Sequence, residues 1–299
     1  MCFSAFVFTS CEKNKKDDGT FDIVAAVYPY YDFLKHITDG AKNVNLSLLL
    51  SGNADMHSYQ PDADDIISLT DADFTVYTGG VSDVWVADAL KKTDKPSLRV
   101  TDVVSALKEE TVEGMQAEQE EVKEEEEELD EHVWLSLKNA SLICSAARDM
   151  LCSLNPENAD IYRVNTEKFI ELLNTLDGQY KEEISHAAGR TLIFAGRFPF
   201  RYLVEDYNLE YYAAFPGCSA ETDASFATVA FLSQKVKELN VPCVAVIDGD
   251  SDSVAKSIVE NSGTEAKIVR LNSMQTGENS EGYIETMTDN LKVIIEALG

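Results

Sequence analysis

The chain predicts an α/β fold of two lobes, each a parallel sheet flanked by helices, joined by one long helix. Three observations lead there. Short apolar runs alternate with amphipathic stretches from residue 21 to about 100, and the alternation resumes at 191. Parallel βαβ units with outer helices produce this pattern. Between the two series, 159–187 keeps a helical period without a break. A helix of about 28 residues extends roughly 42 Å, longer than one small domain needs. The chain also has 299 residues, 44% of them hydrophobic, against a typical domain of about 150. That apolar share supports a sizeable core and excludes wholesale disorder.

The first residues stand apart. Cys2 to Phe8 is a short apolar run, followed by Thr9-Ser10-Cys11 and a polar stretch to Gly19. An apolar core ending in small residues reads as an export signal. The small residue before Cys11 resembles the lipobox of bacterial lipoproteins, which makes Cys11 the lipidated residue, although no Lys or Arg precedes the apolar run. Residues 1–20 are therefore assigned to signal and tether.

The first lobe, 21–154, then opens with a strand at 22–28 and a helix from 31 to 37. A strand at 44–50, a helix at 63–71 and a strand at 74–77 follow, with 98–100 as a possible fourth strand. Residues 109–131 hold 13 acidic residues and one lysine, which reads as a solvated loop. A helix at 137–154 stops at Asn155-Pro156. The linking helix falls in 155–188, with Ile161, Val164, Phe169, Leu172, Leu173 and Leu176 on its apolar face. In the second lobe, 189–299, strands are expected at 191–195, 211–215, 243–248 and 266–271. Helices are expected at 201–207, 225–239, 254–262 and 283–298.

Charge limits the partners. With 25 Lys+Arg against 53 Asp+Glu the net charge is -28, which argues against nucleic acid and favours cations, basic surfaces or neutral ligands. No apolar run reaches the length of a membrane span. Six cysteines form no disulfide framework. Cys144 and Cys152 lie eight apart on one helix, about 12 Å along its axis. Cys218 and Cys243 fall in separate segments, and free buried thiols account for them.

Two segments carry the chemistry. Gly52-Asn53-Ala54-Asp55-Met56-His57-Ser58-Tyr59-Gln60-Pro61 follows a strand and precedes a helix, and His132-Val133-Trp134-Leu135-Ser136 precedes another. Neutral imidazoles are strong ligands for divalent transition metals, and strand-end loops of parallel sheets meet at a cleft. Two of the chain's four histidines are thus candidates to converge, while His36 and His186 read as structural or exposed. Both segments resemble the ligand motifs of bacterial zinc and manganese ABC-transporter solute-binding proteins (cluster A-I type). Tyr28-Pro29-Tyr30-Tyr31, Tyr202 and Gly282-Tyr283 also fit, so the resemblance runs over about residues 22 to 299.

The resemblance implies a metal-binding lipoprotein held on the cell membrane through Cys11. It would capture zinc, or manganese, as transported ligand and deliver it, as a monomer, to an ABC permease. His57 and His132 match the family's ligands. The second lobe departs from the pattern. Where the zinc branch has His and the manganese branch Glu, this chain has Arg197, which stays protonated and cannot ligate. Where a closing carboxylate is expected stands Asn272. Glu221 is the favoured substitute, with Asp223, Asp248 and Asp250 as other candidates. Two alternatives remain: an anionic solute or metal chelate held by Arg197, and a metal-dependent hydrolase built on the two histidines. The acidic loop is either a linker or a device that concentrates cations.

Overall fold

The first sheet is made of short runs that alternate with the helices packed over them. Its elements are β1 (Phe21–Ala25), α1 (Tyr28–Thr38), β2 (Val44–Leu48), α2 (Ala63–Asp71), β3 (Phe74–Tyr77), α3 (Val84–Leu90) and β4 (Ser97–Arg99). Two helices follow, α4 (Leu137–Leu154) and the long α5 (Ala159–His186). The second sheet and its helices are β5 (Thr191–Phe198), α6 (Arg201–Tyr207), β6 (Glu210–Pro216), α7 (Phe226–Leu239), β7 (Cys243–Ile247), α8 (Ser253–Ser262), β8 (Lys267–Leu271) and α9 (Tyr283–Leu298). The structure, a computed structural model, describes residues 19–52, 54–116, 128–219, 223–276 and 281–299. Cys2, Cys11 and Glu221 therefore lie outside the described residues.

The sheets have matching orders, β2-β1-β3-β4 and β6-β5-β7-β8, and every neighbouring pair is parallel. All carboxyl ends of a sheet thus fall on one edge, where a crevice forms in folds of this kind. Strands buried on both faces show a period of two. In β5, Leu192 and Phe194 join one apolar cluster while Ile193 and Ala195 join the other; Cys243 and Ala245 of β7 part from Val244 and Val246 in the same way.

The larger cluster runs from β1 and α1 through α4, α5 and α9 into β5 and β7, so the two lobes share one core. The smaller lies under α7 and α8. On α5 the buried stripe is Tyr162, Thr166, Phe169, Leu173, Leu176, Tyr180 and Ile184. This corrects the expected face: Val164 and Leu172 are about half exposed, at 49% and 51%. On this stripe Tyr180 satisfies its polar end inside, donating to the Met287 carbonyl at 2.6 Å.

Three further expectations change. β1 ends at Ala25 and α1 begins at Tyr28, because Pro29 fits the first helical turn, where no N–H is needed. The helix α3 was not expected at all. The acidic segment is not free at its ends: Lys108 and Leu129 form an antiparallel bridge, and Asp130 and Glu131 are buried. Cys144, Cys152, Cys218 and Cys243 are free thiols, as expected. Among the described residues no helix is long and apolar enough to cross a membrane.

Candidate metal centre

The crevice collects residues from the carboxyl ends of five strands. His57 follows β2, Ser82 and Asp83 follow β3, Arg197 ends β5, Cys218 follows β6 and Gln275 follows β8. His132 comes from the end of the acidic segment, just before a 3-10 turn at Val133–Leu135.

His57 and His132 meet. Their Nε2 atoms are 3.1 Å apart, and the other nitrogen of each ring is engaged from behind. Nδ1 of His132 lies 2.9 Å from Asp130 Oδ1. Because a carboxylate only accepts, that nitrogen carries the proton and Nε2 keeps a bare lone pair. Nδ1 of His57 is 2.9 Å from Ser82 Oγ and 3.8 Å from Glu131 Oε2. The Glu131 carboxylate in turn accepts from Ser82 N at 2.8 Å. A carboxylate behind a ligating imidazole fixes its tautomer and its aim. Both lone pairs therefore point to one place.

Local geometry explains why these chains hold still. Asp55 Oδ1 accepts from His57 N at 3.0 Å, a short turn within the loop. Asp130 Oδ1 accepts from His132 N at 2.8 Å as well as from the ring. Asp83 folds the 78–83 turn by accepting from the N–H groups of Thr78, Gly79 and Gly80. Gly80 leaves room for the Glu131 carboxylate, which would have to shift if a Cβ stood there. Burial, and after it the Glu131 charge, pushes the Asp83 carboxyl up to about 6. For His57, burial first and the neighbouring His132 second bring the pKa down to about 3, so its imidazole is neutral at physiological pH.

The second lobe closes over the pair. Gln275 Nε2 lies 2.9 Å from His57 Nε2 and 2.7 Å from His132 Nε2. Its Oε1 accepts from Ser273 Oγ at 3.1 Å, so the amide directs its N–H groups at both lone pairs. Gln275 follows Met274, a buried residue at φ +55°; a left-handed conformation costs a non-glycine residue about 1–2 kcal/mol. Trp134 donates from Nε1 to Ser273 O at 2.9 Å and so pins this loop from the first lobe. Cys218 completes the group: one donor atom each of His57, His132 and Cys218 lie within 4.8 Å of one another. Burial, then the charge of Glu109, pushes its thiol well up.

The other expected residues fall elsewhere. Arg197 donates to Asp55 Oδ2 at 2.8 Å and approaches Asp250 at 4.0 Å, so it ties the His57 loop to the second lobe. Burial would raise the Asp55 carboxyl, but the charge and hydrogen bond of Arg197, joined by His57, outweigh it and the carboxyl sits below its usual value. Asn272 turns toward α9, where its N–H and carbonyl both bond the Asn290 amide, and its Oδ1 accepts from Met274 N. Asp248 and Asp250 line a pocket of about 430 Å³ beside Gln275, and Asp223 is exposed. His36 stacks on Phe169 and His186 bonds the Glu182 carbonyl, both away from the site. Sequence reasoning missed Cys218 and Gln275. The signal for both is position: each follows a strand of the second parallel sheet, at the carboxyl edge that faces the crevice.

A family model described as ZnuA, zinc-uptake complex component A periplasmic, matches residues 23–297. The zinc-binding lipoprotein AdcA of Streptococcus pneumoniae is 29% identical over 297 residues, which take in 97% of this chain and 58% of AdcA. The chain thus spans little more than half of that relative. The high-affinity zinc uptake system protein ZnuA of Bacillus subtilis is 27% identical over 309 residues, covering 99% of this chain and 95% of that protein. The Zn(II)-bound ZnuA-like domain of Streptococcus pneumoniae AdcA shares the fold at a TM-score of 0.74 and 27% identity, over 94% of this chain and 99% of that one. With the motifs in order, the crevice between matching sheets and a family match over almost the whole length, the chain belongs to the family of periplasmic zinc-uptake component A proteins.

Proposed function

We propose that this protein is an extracytoplasmic solute-binding protein that captures a divalent metal, zinc ahead of manganese, between its lobes and passes it to an ABC permease. The observation that carries this is the His57–His132 pair: two Nε2 lone pairs 3.1 Å apart, each ring braced from behind. Ligand nitrogens at about 2.0–2.1 Å from a tetrahedral zinc stand about 3.3 Å apart, close to what the pair already offers. A neutral His57 needs to lose no proton before it binds. Binding and handover, not catalysis, is the activity this suits.

Capture then runs through the pocket beside Gln275, whose carboxylates draw a cation in. The Gln275 amide leaves the two lone pairs as the metal takes them. Residues 1–20 serve as signal and tether, with lipid on Cys11 holding the protein at the membrane surface, and the lobes 21–154 and 189–299 act around the helix in 155–188 as a monomer. An anionic cargo held by Arg197 is less well supported, because that guanidinium is already paired with Asp55.

Calorimetric titration with zinc and with manganese tests the reading. The wild type should bind one zinc tightly, and His57→Ala and His132→Ala should each lose more than the 10–100-fold that outer groups typically cost. Unchanged zinc affinity in both variants would overturn it.

A further inference from the structure

We infer that Cys218 is the third protein ligand, bound as thiolate, so that the centre is a His2Cys site with one ligand from the second lobe; this rests on the metal reading above. Geometry carries it. Cys218 enters at the end of β6, beside the His132 ring, and one donor atom of each of the three residues lies within 4.8 Å of the others. A tetrahedral zinc with bonds of about 2.3 Å to sulfur and 2.0–2.1 Å to nitrogen sets nitrogen and sulfur about 3.6 Å apart. The sulfur has to close on the imidazole lone pairs, a movement that a side-chain rotation or a small loop closure supplies.

The surroundings hold the thiol in that place. Cys218 N donates to Glu109 Oε1 at 2.8 Å, which fixes its backbone against the foot of the acidic segment. Gly217 lets the turn lie on the His132 ring: a Cβ there would meet Phe198 O at 2.8 Å and His132 Cε1 and Nδ1 at 3.3 Å. A second observation points to a cation. Glu131 is buried and its Oε2 has no hydrogen-bond partner among the described residues, a costly state for a carboxylate oxygen. It lies 3.8 Å from His57 Nδ1, where it accepts the ring's positive end once a metal polarises the imidazole.

On binding, the zinc–sulfur bond forms with the electron pair that held the thiol hydrogen. The S–H bond breaks and its proton passes to bulk water, while both imidazoles bind as neutral bases. Thiolate is a soft donor that suits zinc, whereas manganese prefers oxygen. Cys218 is therefore the specificity-determining residue of the site, and the metal joins the lobes by a covalent path, two ligands from one and one from the other.

Cobalt(II) is the probe, since it occupies zinc sites and reports its donors. The full-length wild type should bind one cobalt with visible ligand-field bands and a thiolate-to-cobalt charge-transfer band in the near ultraviolet. Cys218→Ser should keep the stoichiometry and the ligand-field bands and lose the charge-transfer band. Its zinc affinity should fall by at least about 100-fold, and its manganese affinity by less than about tenfold. Cys218→His, which returns a nitrogen donor, should recover zinc affinity without the band. One bound cobalt without the band in the wild type, or a band that survives in Cys218→Ser, overturns the role of Cys218 and leaves the histidine pair standing. No stoichiometric metal in the wild type overturns both.

Discussion

In the first lobe each candidate ligand is braced by close neighbours: Asp130 lies two residues before His132, Asp55 lies two before His57, and Ser82 and Glu131 stand behind the His57 ring. In the second lobe Arg197, Cys218 and Gln275 come singly from the ends of three strands; Arg197 and Cys218 are held by residues far off in the chain, Asp55 and Glu109, and the loop of Gln275, whose amide Ser273 engages from two residues before, is pinned by the distant Trp134. The contrast shows how a site can be half rigid and half assembled. The first-lobe half is set up locally and waits. The second-lobe half depends on how the two sheets are packed, so it is the part that can differ between relatives without disturbing the imidazoles.

The strongest consequence of the local half is on acid stability. The folded His57 titrates near 3 and the unfolded one near 6.5. Between those values the unfolded chain holds a proton that the folded chain refuses. Stability is therefore full above about pH 6.5 and declines as the pH falls toward 3, by at most about 1.4 kcal/mol per pH unit. Asp83, raised to about 6, works in the other direction, since its folded form keeps a proton longer than an unfolded aspartate near 3.9. His57→Gln removes the first effect and leaves the second. Melting temperatures of metal-free wild type and His57→Gln should diverge with falling pH, the variant gaining relative to wild type. A difference that stays flat from pH 7 to 4 would show that His57 is not the buried neutral base described here.

Next in size is Asp130→Asn. It keeps a hydrogen-bond acceptor for His132 Nδ1 but removes the charge, so zinc affinity should drop about 10–100-fold with little change in the fold. A loss under about threefold in calorimetry would mean that the carboxylate behind His132 is not what prepares it. This also revises how much of the acidic segment is dispensable, because Asp130 and Glu131 belong to the site and not to a solvated loop.

Legibility divides along the same line. His57 and His132 could be found because each sits in a contiguous motif whose companions, Tyr59 and Pro61 or Trp134 and Ser136, are near in sequence. The sheets were readable for a similar reason: β7 is five apolar residues in a row. Cys218 was passed over because a lone thiol reads as core. Gln275 was missed because the family pattern puts the closing position at Asn272, whereas the chain passes through the left-handed Met274 and it is Gln275, three further on, that meets the two imidazoles. Arg197 stood where a ligand was expected and could not be one. Its partner, Asp55, lies 142 residues away, and no local pattern joins them.

Arg197→Ala should sharpen the comparison at a smaller scale. The ion pair with Asp55 is partly shielded, with side chains 14% and 29% exposed, but Asp55 keeps its own bond to His57 N. A pair of this kind contributes up to about 1 kcal/mol, so zinc affinity should weaken by about two- to fivefold, and Arg197→Lys should recover part of it. If Arg197→Ala costs more than Asp130→Asn, packing between the lobes, not the local braces, prepares the imidazoles, and the comparison is reversed.

The smallest equilibrium effect should come from the acidic segment itself. Residues 117–127 contain seven glutamates and one lysine, and the chain is fastened on either side. Gln116 N donates to Ala214 O and its Oε1 accepts from Ser225 N, while Glu128 O accepts from Glu109 N. Glu109 is also the residue that holds Cys218 N, so this charge is rooted beside the crevice. Charge acts at a distance through its field, which raises the encounter rate of a cation and is screened over about 8 Å at physiological salt. Changing Glu118, Glu120, Glu121 and Glu124 to Glu127 into Gln should therefore leave zinc affinity within about twofold at physiological salt. The association rate in stopped-flow should fall several-fold at low ionic strength and converge with wild type as salt is added, because a screened field is all that was removed. An equilibrium loss above about tenfold would instead place a metal ligand in the segment, and the first-lobe half of the site would no longer be complete with its two imidazoles.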